Sequence, residues 1–367
     1  MYTTKHKHKS HRSALSLISF AALAAMMLVV QACGQTTAPP SASPSPAAAS
    51  PAPTSAAAPA AGSSDKAAAP APAASVKVPE VLNYSFVGTT GKQTGAEGWG
   101  FHTGIIPKVL AEYGIKTVNA IGGGTGPDIN EAILAGRVDV GSMGDTPALL
   151  SRAAGSKTKL IGFSSTNTES YLIGKKDGPK SVKDLEGKTI AVVKGSLMHR
   201  YAVGLIKENK INAKIINMSW LDSYAALARG DIDAFASATY DYTSYKLTQE
   251  GYPVLDWAKD HPILLATSTA IASEAYLSKF PDFPKAWAAA RNAALKDLMA
   301  NKDKYYAYVA ETTKAPLDVV PILYNIDLIS ETAVSEDGVK RVEEAKKFLV
   351  EEKLAAKDFN LNEWILK

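Results

Sequence analysis

Four short stretches join glycines or hydroxyl residues to the end of a β-rich run: Gly122–Asp128, Gly144–Pro147, Ser164–Asn167 and Lys194–Ser196. A helix that starts at such a turn leaves its first backbone N–H groups unpaired and its dipole positive. A group of such starts binds an anion without an arginine. Each stretch alone also fits a plain turn or N-cap, and it is their recurrence at strand ends that points to a site. Gly122 and Gly123 belong to the first turn and Asn167 closes the third. Thr146, Ser165, Thr166 and Ser196 offer hydroxyls, either to an anionic head group or as caps of their own helices. Asp145 either holds the amine of a zwitterion or caps its helix. His199, one turn into a helix, either reaches a bound anion or packs on a sheet. Trp99 is expected to wall the apolar part of a ligand, with Tyr240 and Asp241 reaching in from the second half of the chain. Asp139 and Asp233 are read as shaping turns.

Catalytic patterns are missing. Gly141-Ser142-Met143-Gly144 has the wrong spacing for a nucleophile elbow, and neither H-E-x-x-H nor G-x-x-x-x-G-K-[ST] occurs. His102, His199 and His261 are scattered along the sequence. No cofactor or metal is expected. The K-H-K-H-K run near the start holds two of the histidines, but it lies in a segment read below as removed.

The elements that must position these turns alternate. Strands are predicted over 81–87, 117–121 and 138–143, each followed by a glycine turn and a helix. A Gly-rich loop is expected from Gly88 to Gly100, leading to a helix around Thr103–Tyr113. The same order restarts at Thr189, with strands over 190–193, 215–218 and 232–236. Strands separated by helices imply crossover units and a mostly parallel sheet, with ligands beyond the carboxyl ends of the strands. The pattern A-G-x-x-D at Ala135–Asp139 returns, one residue longer, as A-x-G-x-I-D at Ala228–Asp233. Two similar α/β lobes with a cleft between them follow, with Ser170–Ile173 and Leu264–Thr267 as hinge runs. After Ala272 the spacing predicts helices over 283–300, 304–312, 317–324 and 338–353.

Ahead of the folded part, Lys5, Lys7, Lys9 and Arg12 precede an apolar run from Ala14 to Val30. That is an export-signal layout, and the run is short for a membrane span. Val30-Gln31-Ala32-Cys33 resembles the lipobox of bacterial lipoproteins, which implies cleavage after Ala32 and acylation of Cys33, the single cysteine. Removing residues 1–32 takes four basic residues and no acidic one, so the formal charge of +4 falls to zero. Nucleic acid is then not an expected partner. Residues 34–78 are nearly all Ala, Pro, Ser, Thr and Gly and read as a disordered tether (33–78 with the anchored cysteine). The lobes are assigned to 79–170 with 263–367, and to 171–262.

The run Ser181–His199, S-V-K-D-L-E-G-K-T-I-A-V-V-K-G-S-L-M-H, resembles the D-L-x-G-K-x-(V/I)-A-x-x-x-G-S stretch of solute-binding proteins from import ABC transporters. Gly144–Pro147 matches the G-(E/D)-x-P motif of the aliphatic-sulfonate, taurine and nitrate branch, and Ala226–Ala234 its A-x-x-x-G-x-(V/I)-D-A motif. The resemblance implies a type II periplasmic-binding fold that closes over a small anionic or zwitterionic solute. It also implies a membrane permease as partner and, with the lipobox, an extracytoplasmic location on a lipid anchor; the sequence gives no sign of oligomers, and a monomer is expected. Two rival readings stand beside it: a pyrimidine-precursor-type enzyme of the same fold, whose cysteine-rich motif is absent, and a lipoprotein that senses a solute.

Overall fold

The computed structural model describes residues 77–88 and 91–366. Cys33, the apolar run before it and nearly all of the Ala/Pro/Ser segment lie outside the described residues. Ten strands follow in chain order: β1 (Val81–Phe86), β2 (Thr117–Gly122), β3 (Val140–Gly144), β4 (Thr158–Thr168), β5 (Ser170–Gly174), β6 (Thr189–Val192), β7 (Lys214–Asn217), β8 (Ala234–Ala238), β9 (Val254–Trp257) and β10 (Ala266–Ser273). They form two five-stranded sheets, ordered β2-β1-β3-β10-β4 and β7-β6-β8-β5-β9. β1 runs parallel to β2 and β3, and β10 runs antiparallel to β3 and β4. In the second sheet β6 runs parallel to β7 and β8, and β5 antiparallel to β8 and β9. The chain leaves the first sheet at Glu169 and returns through 258–265. The runs read as hinges lie within β5 and across the start of β10.

Parallel strands need helical crossovers, so both faces of each sheet are covered and the central strands are apolar on both sides. β8 is buried along its whole length, and Leu82, Tyr84 and Phe86 of β1 are buried beneath Trp287 and Phe283. The repeated Ala-Gly-Asp pattern has one job in both lobes. Gly136 (φ 68°) and Gly230 (φ 78°) turn the chain out of a helix. The following aspartate then fastens the third strand to the first. Asp139 Oδ2 accepts the Asn83 N–H at 2.8 Å, and Asp233 Oδ2 accepts the Thr189 N–H at 2.9 Å.

One expectation fails instructively. The stretch read as a Gly-rich loop contains a helix, Gly95–His102, followed by a second, Ile105–Glu112. Its glycines are packing positions rather than loop residues. A Cβ on Gly98 would lie 1.7 Å from the Gln93 carbonyl oxygen, and one on Gly100 2.6 Å from Ala294 Cβ. The helix Phe283–Ala300 lies close against this segment, with Ala286, Ala290 and Ala294 fully buried. Helices Lys302–Thr313 and Glu336–Glu351 follow nearly as read, while the one expected over 317–324 shortens to Val320–Leu323. No helix among the described residues is long and apolar enough to cross a membrane.

Candidate functional site

The carboxyl ends of β1, β2, β3 and β4 carry the glycine and hydroxyl turns of the first lobe, and those of β6 and β8 carry the turns of the second. The two sets approach closely. A Cβ on Gly144 would lie 3.0 Å from Leu197 Cδ2, and one on Gly195 3.5 Å from Pro127 Cγ. Gly122 ends β2 and Gly123 makes the tight turn after it, donating its N–H to Phe86 O at 2.9 Å. A side chain there would collide with Ser85 Oγ, 2.2 Å from the ideal Cβ.

Asp145 and Thr146 open the helix Asp145–Ala153 and are fully buried, and sequence reasoning missed the residue that buries them. Arg200, from the helix Leu197–Asn209 of the other lobe, donates from Nε to Thr146 Oγ1 at 3.0 Å. Its Nη2 lies 3.3 Å from Asp145 Oδ2, and its terminal nitrogens also donate to Ile263 O (2.9 Å) and Leu265 O (3.0 Å) in the return segment. Asp145 Oδ2 also accepts the Thr267 N–H at 2.9 Å. The carboxylate read as an amine-holder or cap is thus committed to an inter-lobe ion pair, and neither side chain has any exposed surface. The signal lay in the sequence: an arginine inside the apolar run L-M-H-R-Y-A-V-G-L is rarely buried unless paired.

A second buried pair supports the first lobe's turns. Arg291 Nε lies 3.3 Å from Glu97 Oε1, which also accepts the Ser164 hydroxyl at 2.8 Å. Glu97 Oε2 has no partner among the described residues. Nearby, Gln93 accepts the Tyr84 hydroxyl (2.9 Å) and donates to Ser142 Oγ (3.2 Å), joining β1 to β3.

The remaining candidates divide by role. Trp99 is packed inside its lobe, donating from Nε1 to Asp297 Oδ1 at 2.7 Å and standing edge-on to Tyr305. Ser196 caps its helix, its Oγ accepting the His199 N–H at 3.3 Å. His199 Nδ1 accepts the Gly195 N–H at 3.2 Å, and burial, with the charge of Lys194, holds its pKa below the ordinary value. The imidazole is therefore neutral, with its proton on Nε2 available to donate. Asp241 caps Tyr242–Gln249, accepting the Ser244 N–H (2.6 Å) and the Tyr224 hydroxyl (2.8 Å). Tyr240 faces Tyr324 at 6.2 Å between ring centres, and burial, with Asp241, pushes its hydroxyl up to about 12. Ser165 and Thr166, read as hydroxyls at a helix start, open no helix: they lie half-buried in β4, which leads directly to β5, with Ser165 Oγ 3.2 Å from Thr168 Oγ1. Asn167, at φ 55°, donates to Asp337 Oδ2 at 3.1 Å. The arrangement offers helix starts, strand-end hydroxyls, a neutral imidazole and tyrosines, all suited to holding a small polar molecule. Among the described residues no group of His, Cys, Asp and Glu is arranged to hold a metal ion.

Comparison with known proteins places these features in a family. A family model described as NMT1/THI5 like matches residues 110–305. A relative from Escherichia coli (strain K12), named as an aliphatic sulfonates-binding protein, is 28% identical over 236 residues, which cover 60% of this chain and 72% of that one. The crystal structure of the alkanesulfonate-binding protein from Xanthomonas axonopodis pv. citri bound to MOPS superposes with a TM-score of 0.66 at 19% identity, covering 79% of this chain and 99% of that one. A desulfurization enzyme shares the fold at 15% identity and a TM-score of 0.58, covering 78% of this chain and 96% of that one. These structural likenesses establish the two-lobed binding-protein fold.

Proposed function

The chain belongs to the NMT1/THI5-like family, and from that premise we propose that it is an extracytoplasmic solute-binding protein. Its lobes close over a small sulfonate or related anion or zwitterion and hand it to an ABC import permease. The observation that carries the reading is the meeting of two like sets of strand-end turns, with Gly144 against Leu197 and Gly195 against Pro127. Relatives named for sulfonate binding supply the substrate class. In this reading Ser165 and Thr166 of β4, the His199 Nε2–H and the first N–H groups of Leu197–Asn209 grip the head group. Tyr240 lies along the apolar part. Gly122 and Gly123 shape the wall, and Asp145, Ser196 and Asp241 hold the elements in place. Cys33 carries a lipid anchor, residues 33–78 act as the tether, and the protein works as a monomer.

The enzyme reading draws only on the shared fold of the desulfurization enzyme. Two of the three described histidines are occupied elsewhere: His102 stacks on Tyr308, and His261 sits between Asp256 and Glu208, which leaves His199 alone at the strand-end turns. Calorimetry with ethanesulfonate, taurine and nitrate tests the proposal. Saturable binding without turnover supports it, whereas product formation from a sulfonate or sulfinate would favour the enzyme. Thr166→Ala should weaken binding by about 1 kcal/mol, the scale of a neutral hydrogen bond, with unchanged unfolding. Cys33→Ser should release the protein from membranes, and its retention there would argue against acylation.

A further inference from the structure

A cavity of about 840 Å³ runs along the groove between the helices Gly126–Leu134 and Asp145–Ala153, starting at the strand-end turns and extending away from them to the far ends of the helices. Its size is that of a small-molecule pocket rather than a surface dimple. Its floor and walls are apolar, with Ile133, Leu134, Val138, Pro147, Leu150 and Ala154 contributing. Leu134 is 66% exposed, which costs solvation free energy that an apolar occupant would recover. Three lysines line the groove: Lys157, Lys194 and Lys279. Among the described residues none of the three lies within ion-pair distance of a carboxylate. Two carboxylates line it as well. That of Asp139 is held by the Asn83 N–H and amide at 2.8 and 3.0 Å, and that of Glu131 is exposed. Asn130, 8% exposed in the lining, donates across the groove to Pro147 O at 2.8 Å, and its Oδ1 has no partner among the described residues.

The two ends differ in charge. At one end stand the first turns of both helices, marked by Pro127 and Pro147, together with Lys194 and Gly195 of the opposite lobe. Lys194, with no carboxylate partner, makes that end favourable for an anion, while the first turns of the two helices carry Asp128, which closes a capping box, and Asp145, which is paired with Arg200. The other end holds the closing turns of the helices, where the dipoles are negative and Lys157 and Lys279 offset them. A tail of about 13 Å can lie along helices of nine residues.

We propose that this groove, which adjoins the crevice at Pro127 and Gly195 and extends away from it, is a second binding site for an amphiphilic anion. Its sulfonate or carboxylate head lies at Lys194 and its aliphatic tail runs toward Leu134. Because the tail rests on the first lobe and the head meets the second, such a ligand holds the lobes in the arrangement described here. The site goes beyond the proposed solute function and does not depend on it.

Titration of the full chain with decanesulfonate, below its micelle concentration, tests this, with ethanesulfonate and a neutral decyl glucoside in parallel. Decanesulfonate should bind saturably, tighter than octanesulfonate by about fourfold for each methylene added. The glucoside should bind at least tenfold more weakly. Leu134→Glu should weaken decanesulfonate at least tenfold and leave the ethanesulfonate response unchanged. Lys194→Glu should weaken decanesulfonate to a similar degree, which keeps the test sound if the leucine variant misfolds. Equal affinity for the glucoside, or decanesulfonate binding indifferent to both variants, overturns the proposal. Decanesulfonate binding lost in both variants, with no ethanesulfonate binding in the native protein, would leave this site standing and remove the sulfonate crevice instead.

Discussion

Arg200 shows how a single side chain can tie together three parts of the chain. A buried guanidinium is costly unless its nitrogens are hydrogen-bonded and a carboxylate balances its charge, and here Asp145, Thr146 and two carbonyls of the return segment give each nitrogen of Arg200 a partner. Arg200→Met leaves the Asp145 carboxylate buried and uncompensated, so denaturant unfolding should show a loss of about 3–5 kcal/mol. Pairing it with Asp145→Asn removes the stranded charge, and most of that loss should return. Equal losses in the single and double variants would mean that packing, not charge balance, governs the site. At this scale the sequence was only partly legible. Hydroxyl and glycine turns were visible because local backbone chemistry writes them. Trp99 was read as a ligand wall, and Asp145 as an amine-holder or a cap, because the partners the structure gives them, Asp297 and Arg200, are distant in the chain and join only through tertiary packing.

Among the elements, those whose pattern depends on local periodicity were readable, and those shaped by a neighbour were not. The six strands read from the sequence, β1, β2, β3, β6, β7 and β8, fall within a residue or two of their expected positions, because β-branched runs between glycine turns carry their own signal, whereas β4 and β9 were not read as strands. The helix Gly95–His102 was hidden, because glycine reads as loop while its role is to admit Gln93 and Ala294 at close range. Gly98→Ala should therefore destabilise the protein by about 1–3 kcal/mol or more despite alanine's higher helix propensity, a result that thermal unfolding can check. The return segment carries a different constraint. His261, within it, has Nδ1 2.5 Å from Glu208 Oε2 and Nε2 3.0 Å from Asp256 Oδ2. Burial lowers its pKa, but the hydrogen bond to Asp256 and the charges of Asp256 and Glu208 outweigh that and hold the value above the ordinary 6.5. Since the folded value is the higher one, the stabilisation is complete below pH 6.5 and fades as pH rises through the folded value. Native protein should lose stability across that window while His261→Gln does not, and parallel pH curves would exclude the imidazolium as the cause.

For the whole molecule, two lobes joined at Glu169 and through 258–265 become a receptor only if ligand distinguishes their open and shut arrangements. A solute indifferent to that difference shifts nothing, however tightly it binds. Under the proposed function, contacts made from both sides would supply the difference, with β4 hydroxyls from one lobe and the start of Leu197–Asn209 from the other. Saturating ethanesulfonate should therefore shrink the radius of gyration in X-ray scattering as well as raise the melting temperature. Stabilisation without compaction would describe a static pocket. Gly144 allows a sharper test, because its backbone (φ −62°) accepts any side chain, yet a Cβ would lie 3.0 Å from Leu197 Cδ2 across the gap. Gly144→Leu should wedge the lobes apart and enlarge the unliganded protein. Apparent affinity should then fall in proportion to the remaining population able to close. If affinity fell while the unliganded dimensions stayed the same, Gly144 would be acting on the ligand directly, and closure would have to be driven from elsewhere in the molecule.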